Sequence, residues 1–225
     1  GYMRMYHHKY LELLREACTK FNVHLIADEI AVGFGRTGTM FGFEQAKITP
    51  DIICLSKGIT GGYMTLSTIL TTDDIYDAFY DEYEKLNAFL HSHSYTANPI
   101  ACSAANATLD LFKKKKVVEN NKKLSLHMKK CFESLNDHPH VSDVRQKGMV
   151  LAIELVKNKK KKLAYDWKER RGIKAYLHGL KNNVLMRPLG NVLYFMPPYV
   201  ITKKEISFVS EIMKEGVDEA TKKSS

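Results

Sequence analysis

Two charged residues stand where short apolar runs stop. Val23-His24-Leu25-Ile26-Ala27 ends on Asp28-Glu29, and Ile52-Ile53-Cys54-Leu55 ends on Ser56-Lys57-Gly58. Short apolar runs bounded by polar turns suit strands of a parallel sheet that is buried on both faces. In open α/β sheets, ligands sit beyond the carboxyl ends of the strands. Asp28 and Lys57 would then face one site. An amine condenses with an aldehyde, and a carboxylate keeps a ring nitrogen protonated so that the ring accepts carbanion electrons. Together they suit the chemistry of pyridoxal phosphate. On spacing alone, a strand-end Asp or Lys is usually an ordinary surface charge.

The elements that must position this pair follow from periodicity. Residues 6–21 carry Tyr10, Leu14, Ala17 or Cys18, and Phe21 at helical spacing. A buried strand over 23–27, a Gly-rich stretch from Gly33 to Gly38 and a second strand over 52–55 come next. Gly61-Gly62 marks a tight turn, 66–71 a third strand, and 74–79 a helix capped by Thr72 or Asp73. An Ala-rich helix over 98–112 and a second helical stretch over 117–135 flank a lysine-marked break, and His138-Pro139-His140 ends the second. Beyond it, 141–156 reads as strands, 167–180 as a helix, 184–186 and 192–196 as two more strands, and 206–220 as a closing amphipathic helix. Helices alternate with parallel strands up to about residue 112, and a smaller α+β unit fills 113–225. The expected fold class is α/β.

The exact residues carry more. Leu25-Ile26-Ala27-Asp28-Glu29-Ile30, then Gly33-Phe34-Gly35-Arg36-Thr37-Gly38, then Pro50-Asp51-Ile52, Ser56-Lys57-Gly58 and Gly61-Gly62 closely resemble, in order, the signature of the class III pyridoxal-phosphate aminotransferases. The resemblance implies the aspartate-aminotransferase type of fold, fold type I. Residues 1–112 would be the second part of the large cofactor-binding domain, and 113–225 the small C-terminal domain. It implies that Lys57 bonds the cofactor aldehyde, that Asp28 partners the pyridine nitrogen, and that Gly58 lies against substrate. The Gly-Phe-Gly-Arg-Thr-Gly stretch reads as structural, its glycines permitting unusual backbone angles.

Two further stretches resemble family motifs. His91-Ser92-His93-Ser94-Tyr95-Thr96-Ala97-Asn98-Pro99 is similar to the loop whose hydroxyl holds the cofactor phosphate from the partner subunit, with Ser94 and Tyr95 at the cofactor-binding positions. A homodimer is therefore implied. Arg187-Pro188-Leu189-Gly190-Asn191-Val192-Leu193-Tyr194-Phe195-Met196-Pro197-Pro198 is similar to the C-terminal motif of the family's biotin-pathway members. That likeness implies that Arg187 holds a substrate carboxylate, a task suited to its planar fork. It also implies that Tyr194 favours adenosylmethionine as amino donor. The implied reaction is ping-pong transamination of 8-amino-7-oxononanoate to 7,8-diaminononanoate. Other class III members, acting on an ω-amino acid, lysine or a diamine, remain an alternative, as does a catalytically incomplete fragment. The resemblance covers only the second half of the family's protein, so a longer parent polypeptide is expected.

Composition narrows the classes. Lys and Arg number 34 against 25 Asp and Glu, a net charge of +9. Much of the excess sits in lysine runs at 113–116 and 157–162, without the interleaved Arg and aromatics of a nucleic-acid surface. Solvated faces are expected there, and no nucleic-acid partner. No apolar run approaches the roughly 20 residues of a membrane span. Cys18, Cys54, Cys102 and Cys131 lie far apart in apolar contexts, as buried reduced thiols of a cytoplasmic protein would. His91 and His93 lack a third ligand, so no metal is expected.

Overall fold

The computed structural model describes residues 3–222. It divides into two compact units: Tyr6–Val118, and the described residues from Glu119 onward together with those before Tyr6. The expected division after residue 112 falls inside a helix that runs on to Lys115.

The first unit opens with α1 (Lys9–Lys20), followed by β1 (Ile26–Asp28), β2 (Ile52–Leu55) and β3 (Thr68–Thr71), then α2 (Asp73–Asp77) and α3 (Pro99–Lys115). The sheet order is β1-β2-β3. β1 runs parallel to β2, with Asp28 opposite Cys54, and Glu29 N extends the ladder to Cys54 O at 3.0 Å. β3 is antiparallel to β2, which corrects the expectation of parallel strands throughout. The connection between them, residues 56–67, turns back through Gly61-Gly62 (φ +61° and +88°) and holds no α-helix of the kind that carries a parallel crossover. β1 is also less buried than expected: Val23 and Ile26 are 57% and 58% exposed. Among the described residues it is an outer strand, paired with β2 on one side.

Asp51 ties the start of the sheet together. Its Oδ2 accepts from Leu25 N at 2.6 Å and from Arg15 Nη1 of α1 at 2.7 Å. The backbone bond to Leu25, then the Arg15 guanidinium, holds its carboxyl below the usual carboxylate range. The unit's small core gathers Phe34, Leu55, Ile59 and Ala105, with Phe41, Leu109 and Phe112 against them. Phe34 meets Phe41 and Phe112 edge-on, with ring centroids 5.7 and 6.3 Å apart. Asn98 caps α3, its Oδ1 accepting from Ile100 N at 3.0 Å, and Pro99 occupies the first helical position.

The second unit holds α4 (Val117–Phe132) from Glu119 on, β4 (Val141–Lys147), β5 (Val150–Asn158), β6 (Leu163–Ala164), α5 (Arg171–Lys181), β7 (Arg187–Leu189), β8 (Val192–Phe195) and α6 (Lys203–Thr221). Its antiparallel sheet runs β4-β5-β8-β7, with β6 on β5. Leu151, Ile153, Leu155 and Leu193 project into one core with Met128 and Phe132 of α4 and with Ile206, Met213 and Val217 of α6. Thr202 and Glu205 form a reciprocal capping box on α6, which starts three residues before the expected helix. Two other expectations are corrected. Residues 184–186 lie outside the ladder, which begins at Arg187, and Trp167–Glu169 is a 3₁₀ turn that precedes α5. The cysteines are all free thiols, but Cys102 is exposed and the other three are half-buried. Cys102 follows the buried Ala101 by one position, so a helix turns it away from the core.

Arg171 closes the second unit. Its Nη1 donates to Ala220 O and Lys222 O at 3.0 and 2.7 Å, its Nη2 to Glu169 at 2.6 Å, and its guanidinium lies 4.6 Å from the Tyr165 ring. Arg171→Met keeps the apolar bulk but leaves two carbonyls at the end of α6 without their charged donor. The expected loss is about 2–3 kcal/mol, read from the urea midpoint. An unchanged midpoint would mean that water replaces the guanidinium there.

Candidate active site

Because β1 and β2 are parallel, their carboxyl ends share one edge of the sheet. Asp28 is the last residue of β1. Lys57 is the second residue past β2 and begins a 3₁₀ turn, Lys57–Thr60. The structure therefore brings the two expected catalytic residues to the same edge of neighbouring strands, both exposed. No hydrogen bond or ion pair joins them among the described residues. Asp28 Oδ1 accepts from Ile30 N at 3.0 Å, which orients the carboxylate, and no described residue engages its other oxygen. Lys57 adopts φ +47°, a left-handed backbone that side-chain-bearing residues seldom occupy and that clusters at functional sites.

The turn under Lys57 is rigidly seated. Ile59 and Thr60 are buried, Thr60 Oγ1 donates to Met64 O at 2.6 Å, and Ser56 Oγ donates to Leu66 O at 2.7 Å. Gly58 lies against Phe34: a Cβ added there would stand 2.9–3.1 Å from three Phe34 side-chain atoms. Phe34 is itself locked between two other phenylalanines, so Gly58→Ala forces the ring or the turn to move. An expected cost of about 1–3 kcal/mol follows, measurable as a lower Tm. An unchanged Tm would show that the ring yields freely.

The Gly-rich stretch is structural, as its glycines imply. Gly35 and Gly38 adopt φ +85° and +105°. A Cβ on Gly33 would stand 2.8 Å from Glu29 O. Ser94 and Tyr95 lie exposed on the loop before α3, in the same unit as Asp28 and Lys57. His93 N bonds Thr96 Oγ1 and Tyr95 N bonds His93 Nδ1, each at 3.1 Å, which shapes the loop locally. No described hydrogen bond links Ser94 or Tyr95 to Asp28 or Lys57.

Arg187 and Tyr194 sit on the second unit, as direct cross-strand partners of β7 and β8. Tyr194 faces Ala152 on β5, and Ala152 faces Arg145 on β4. In-register residues share a face, so Arg145, Ala152, Tyr194 and Arg187 form one row across the sheet. The alternate residues Leu151, Ile153 and Leu193 fill the core on the other face. Arg145 is committed within this row: its Nη1 bonds Asp143 and Glu154 at 3.0 and 2.7 Å, and its Nε bonds Met3 O at 2.8 Å. Arg187 is exposed beside the half-buried Tyr194. Sequence spacing contained this pairing, because a two-residue turn at Gly190-Asn191 places 189 opposite 192 and hence 187 opposite 194.

Residues 1–217 match the aminotransferase class-III family. The chain belongs to the class-III aminotransferases. Among its relatives, the adenosylmethionine-8-amino-7-oxononanoate aminotransferase of Helicobacter pylori is 46% identical over 99% of this chain and 50% of its own length. The enzyme of that name from Geobacter sulfurreducens is 42% identical over 94% of this chain and 47% of its own. The crystal structure of the Methanocaldococcus jannaschii adenosylmethionine-8-amino-7-oxononanoate aminotransferase superposes with a TM-score of 0.89 at 42% identity, covering 93% of this chain and 49% of that one. The ω-transaminase of Pseudomonas jessenii, solved in complex with PMP, reaches the same TM-score at 28% identity, over 94% of this chain and 47% of that one. The chain thus spans about half the length of the curated relatives it matches. Its fold is the corresponding part of the fold-type-I transferases, and this class-III aminotransferase family depends on pyridoxal phosphate. The donor set fits that group: a strand-end amine outside any described ion pair, and a carboxylate with one oxygen held and one available.

No described helix is long and apolar enough to cross a membrane, and no three described His, Cys, Asp or Glu residues gather as a metal site. One residue of the site escaped the sequence reading. Glu29, next to Asp28, is 3% exposed and bonds two backbone N–H groups. Its only sequence signal is a carboxylate placed between an apolar run and a Gly-rich turn.

Proposed function

We propose that this chain forms the second half of a pyridoxal-phosphate aminotransferase that converts 8-amino-7-oxononanoate to 7,8-diaminononanoate, with adenosylmethionine as amino donor. The observation that carries the chemistry is the placement of Asp28 and Lys57 at the carboxyl ends of two adjacent parallel strands. The substrate assignment is supported by the shared name of relatives at 46% and 42% identity, and by the pairing of Arg187 with Tyr194.

Pyridoxal phosphate, when bound, supplies an aldehyde that captures amines and a ring that accepts carbanion electrons. Lys57 Nζ would hold the cofactor through its aldehyde and, when free, would move the proton at the reacting carbon as general acid and base. The carboxylate of Asp28 would keep a proton on the ring nitrogen. Gly58 would lie against substrate through its backbone, since the space on its side-chain side is taken by Phe34. Arg187 grips the substrate carboxylate with two parallel N–H bonds, and Tyr194 beside it selects adenosylmethionine. Ser94, with Tyr95 next to it, serves the cofactor phosphate of a second subunit, so the working form is a homodimer. Four free thiols suit a reducing, cytoplasmic setting.

Donor exchange tests the substrate assignment. The protein loaded with pyridoxal phosphate is given 8-amino-7-oxononanoate with adenosylmethionine, lysine or γ-aminobutyrate in turn. Product from adenosylmethionine alone is expected. Product from lysine or γ-aminobutyrate instead would assign the chain to another branch of the family, and product from none would mean a catalytically incomplete chain.

A further inference from the structure

We propose that Glu29 is a positioning residue for Asp28: it anchors the turn whose backbone holds the Asp28 carboxylate. This rests on the reading of Asp28 as the partner of the cofactor ring. Residue 29 is held at four points. Its N–H donates to Cys54 O at 3.0 Å and its carbonyl accepts from Gly33 N at 2.8 Å. Its Oε2 accepts from Gly42 N at 2.9 Å and its Oε1 from Phe43 N at 3.0 Å. One residue thereby joins the end of β1, the neighbouring strand β2, the Gly-rich turn and the 3₁₀ segment Gly42–Ala46. The next residue, Ile30, supplies the N–H that orients Asp28 Oδ1 at 3.0 Å. Moving residue 29 moves that donor.

The fit is close at both the side chain and the backbone of residue 29. A Cβ on Gly42 would stand 3.2 Å from Glu29 Oε1, and one on Gly33 would stand 2.8 Å from Glu29 O. A carboxylate offers an acceptor to each of the two donors, whereas an amide offers one. Burial pushes the Glu29 carboxyl up, against the lowering effect of the two backbone bonds. A raised carboxyl gives stability that is fully present below its unfolded value and is lost as pH rises through the folded value. Glu29→Gln keeps the size of the side chain but leaves one turn N–H unanswered.

The test uses the protein as isolated, pyridoxal phosphate as the probe, and two readouts: the dissociation constant and the pH midpoint of the bound chromophore. Glu29→Gln is expected to weaken retention about tenfold, the effect of one charge-assisted hydrogen bond. It is also expected to shift the pH midpoint in the same sense as Asp28→Asn. Gly42→Ala, which crowds the carboxylate without changing its charge, should shift the midpoint in that sense too. In an Asp28→Asn background, Glu29→Gln should add nothing to the midpoint, because the group it positions has already lost its charge. Equal effects in both backgrounds, or a wild-type midpoint in Glu29→Gln, would overturn the proposal. Failure of the wild-type chain to take up pyridoxal phosphate would instead overturn the reading of the site itself. Circular dichroism of each variant separates a loss of fold from either outcome.

Discussion

Replacing Lys57 with alanine is expected to abolish covalent retention of pyridoxal phosphate and to lower transamination by about 10⁴-fold, the upper range for a positioned acid–base group. Two physical points make this a clean experiment. Lys57 is exposed, so no core packing is lost. Its backbone is left-handed at φ +47°, and alanine carries the same Cβ penalty there, so the turn keeps its conformational cost. The seat of the turn, formed by Ile59, Thr60 and the Ser56 bond to Leu66 O, is untouched. The measurement is the absorbance of the cofactor after gel filtration, followed by borohydride reduction and peptide mapping. In the wild type the reduced label should sit on Lys57, not on the exposed lysines of the run at 113–116. Lys57→Arg provides a second variant, since a guanidinium stays charged and does not capture an aldehyde. A Lys57→Ala protein that kept its chromophore and its turnover would remove Lys57 from the chemistry.

The sequence carried strand positions more readily than strand surroundings. β2 was legible to the residue, because four apolar residues between Asp51 and Ser56 leave little choice of boundary. The run at 23–27 marked β1, yet not its exposure. Burial depends on what packs against a strand, and periodicity records only the strand itself. Direction was similarly hidden in β3: alternating hydrophobicity is the same in both senses, and the antiparallel pairing goes with a return through Gly61-Gly62 that holds no α-helix. Residues 184–186 show the reverse error. Val184 and Met186 are buried and Leu185 is exposed, a strand-like alternation, yet the ladder starts only at Arg187, where β8 provides a partner.

The family signature named the candidate site residues apart from Glu29, and geometry added relationships that a motif does not hold. Arg187 and Tyr194 are cross-strand neighbours, so a change at either is felt by the other, and the pair should behave non-additively in double-mutant cycles. Arg145 shares their row and sits between Asp143 and Glu154, which balances its charge. Arg187, outside any described ion pair, is the arginine of the row available to a carboxylate. Glu29 was invisible because a glutamate beside an aspartate at a strand end reads as a second surface charge. Only the two backbone N–H groups that converge on it from 42 and 43 reveal a buried anchor.

Asp28→Asn is expected to separate cofactor capture from catalysis. The substitution is isosteric, and the asparagine carbonyl still accepts from Ile30 N, so the turn and the sheet edge remain as they are. Lys57 is unaltered, and its amine still captures the aldehyde. What is lost is the negative charge that, on the proposed reading, would keep the ring nitrogen protonated. A neutral amide no longer favours the protonated ring, and the ring in turn accepts carbanion electrons less well. A preorganised charge at a developing transition state is worth about 10²–10³ in rate, and a loss of that size in kcat is expected with borohydride-trappable cofactor at wild-type levels under saturating pyridoxal phosphate. The result distinguishes two roles that static geometry leaves side by side. If Asp28 merely shaped the end of β1, asparagine would preserve its hydrogen bond and the rate would stay near wild type. A large fall in kcat with full cofactor occupancy means that the charge itself acts.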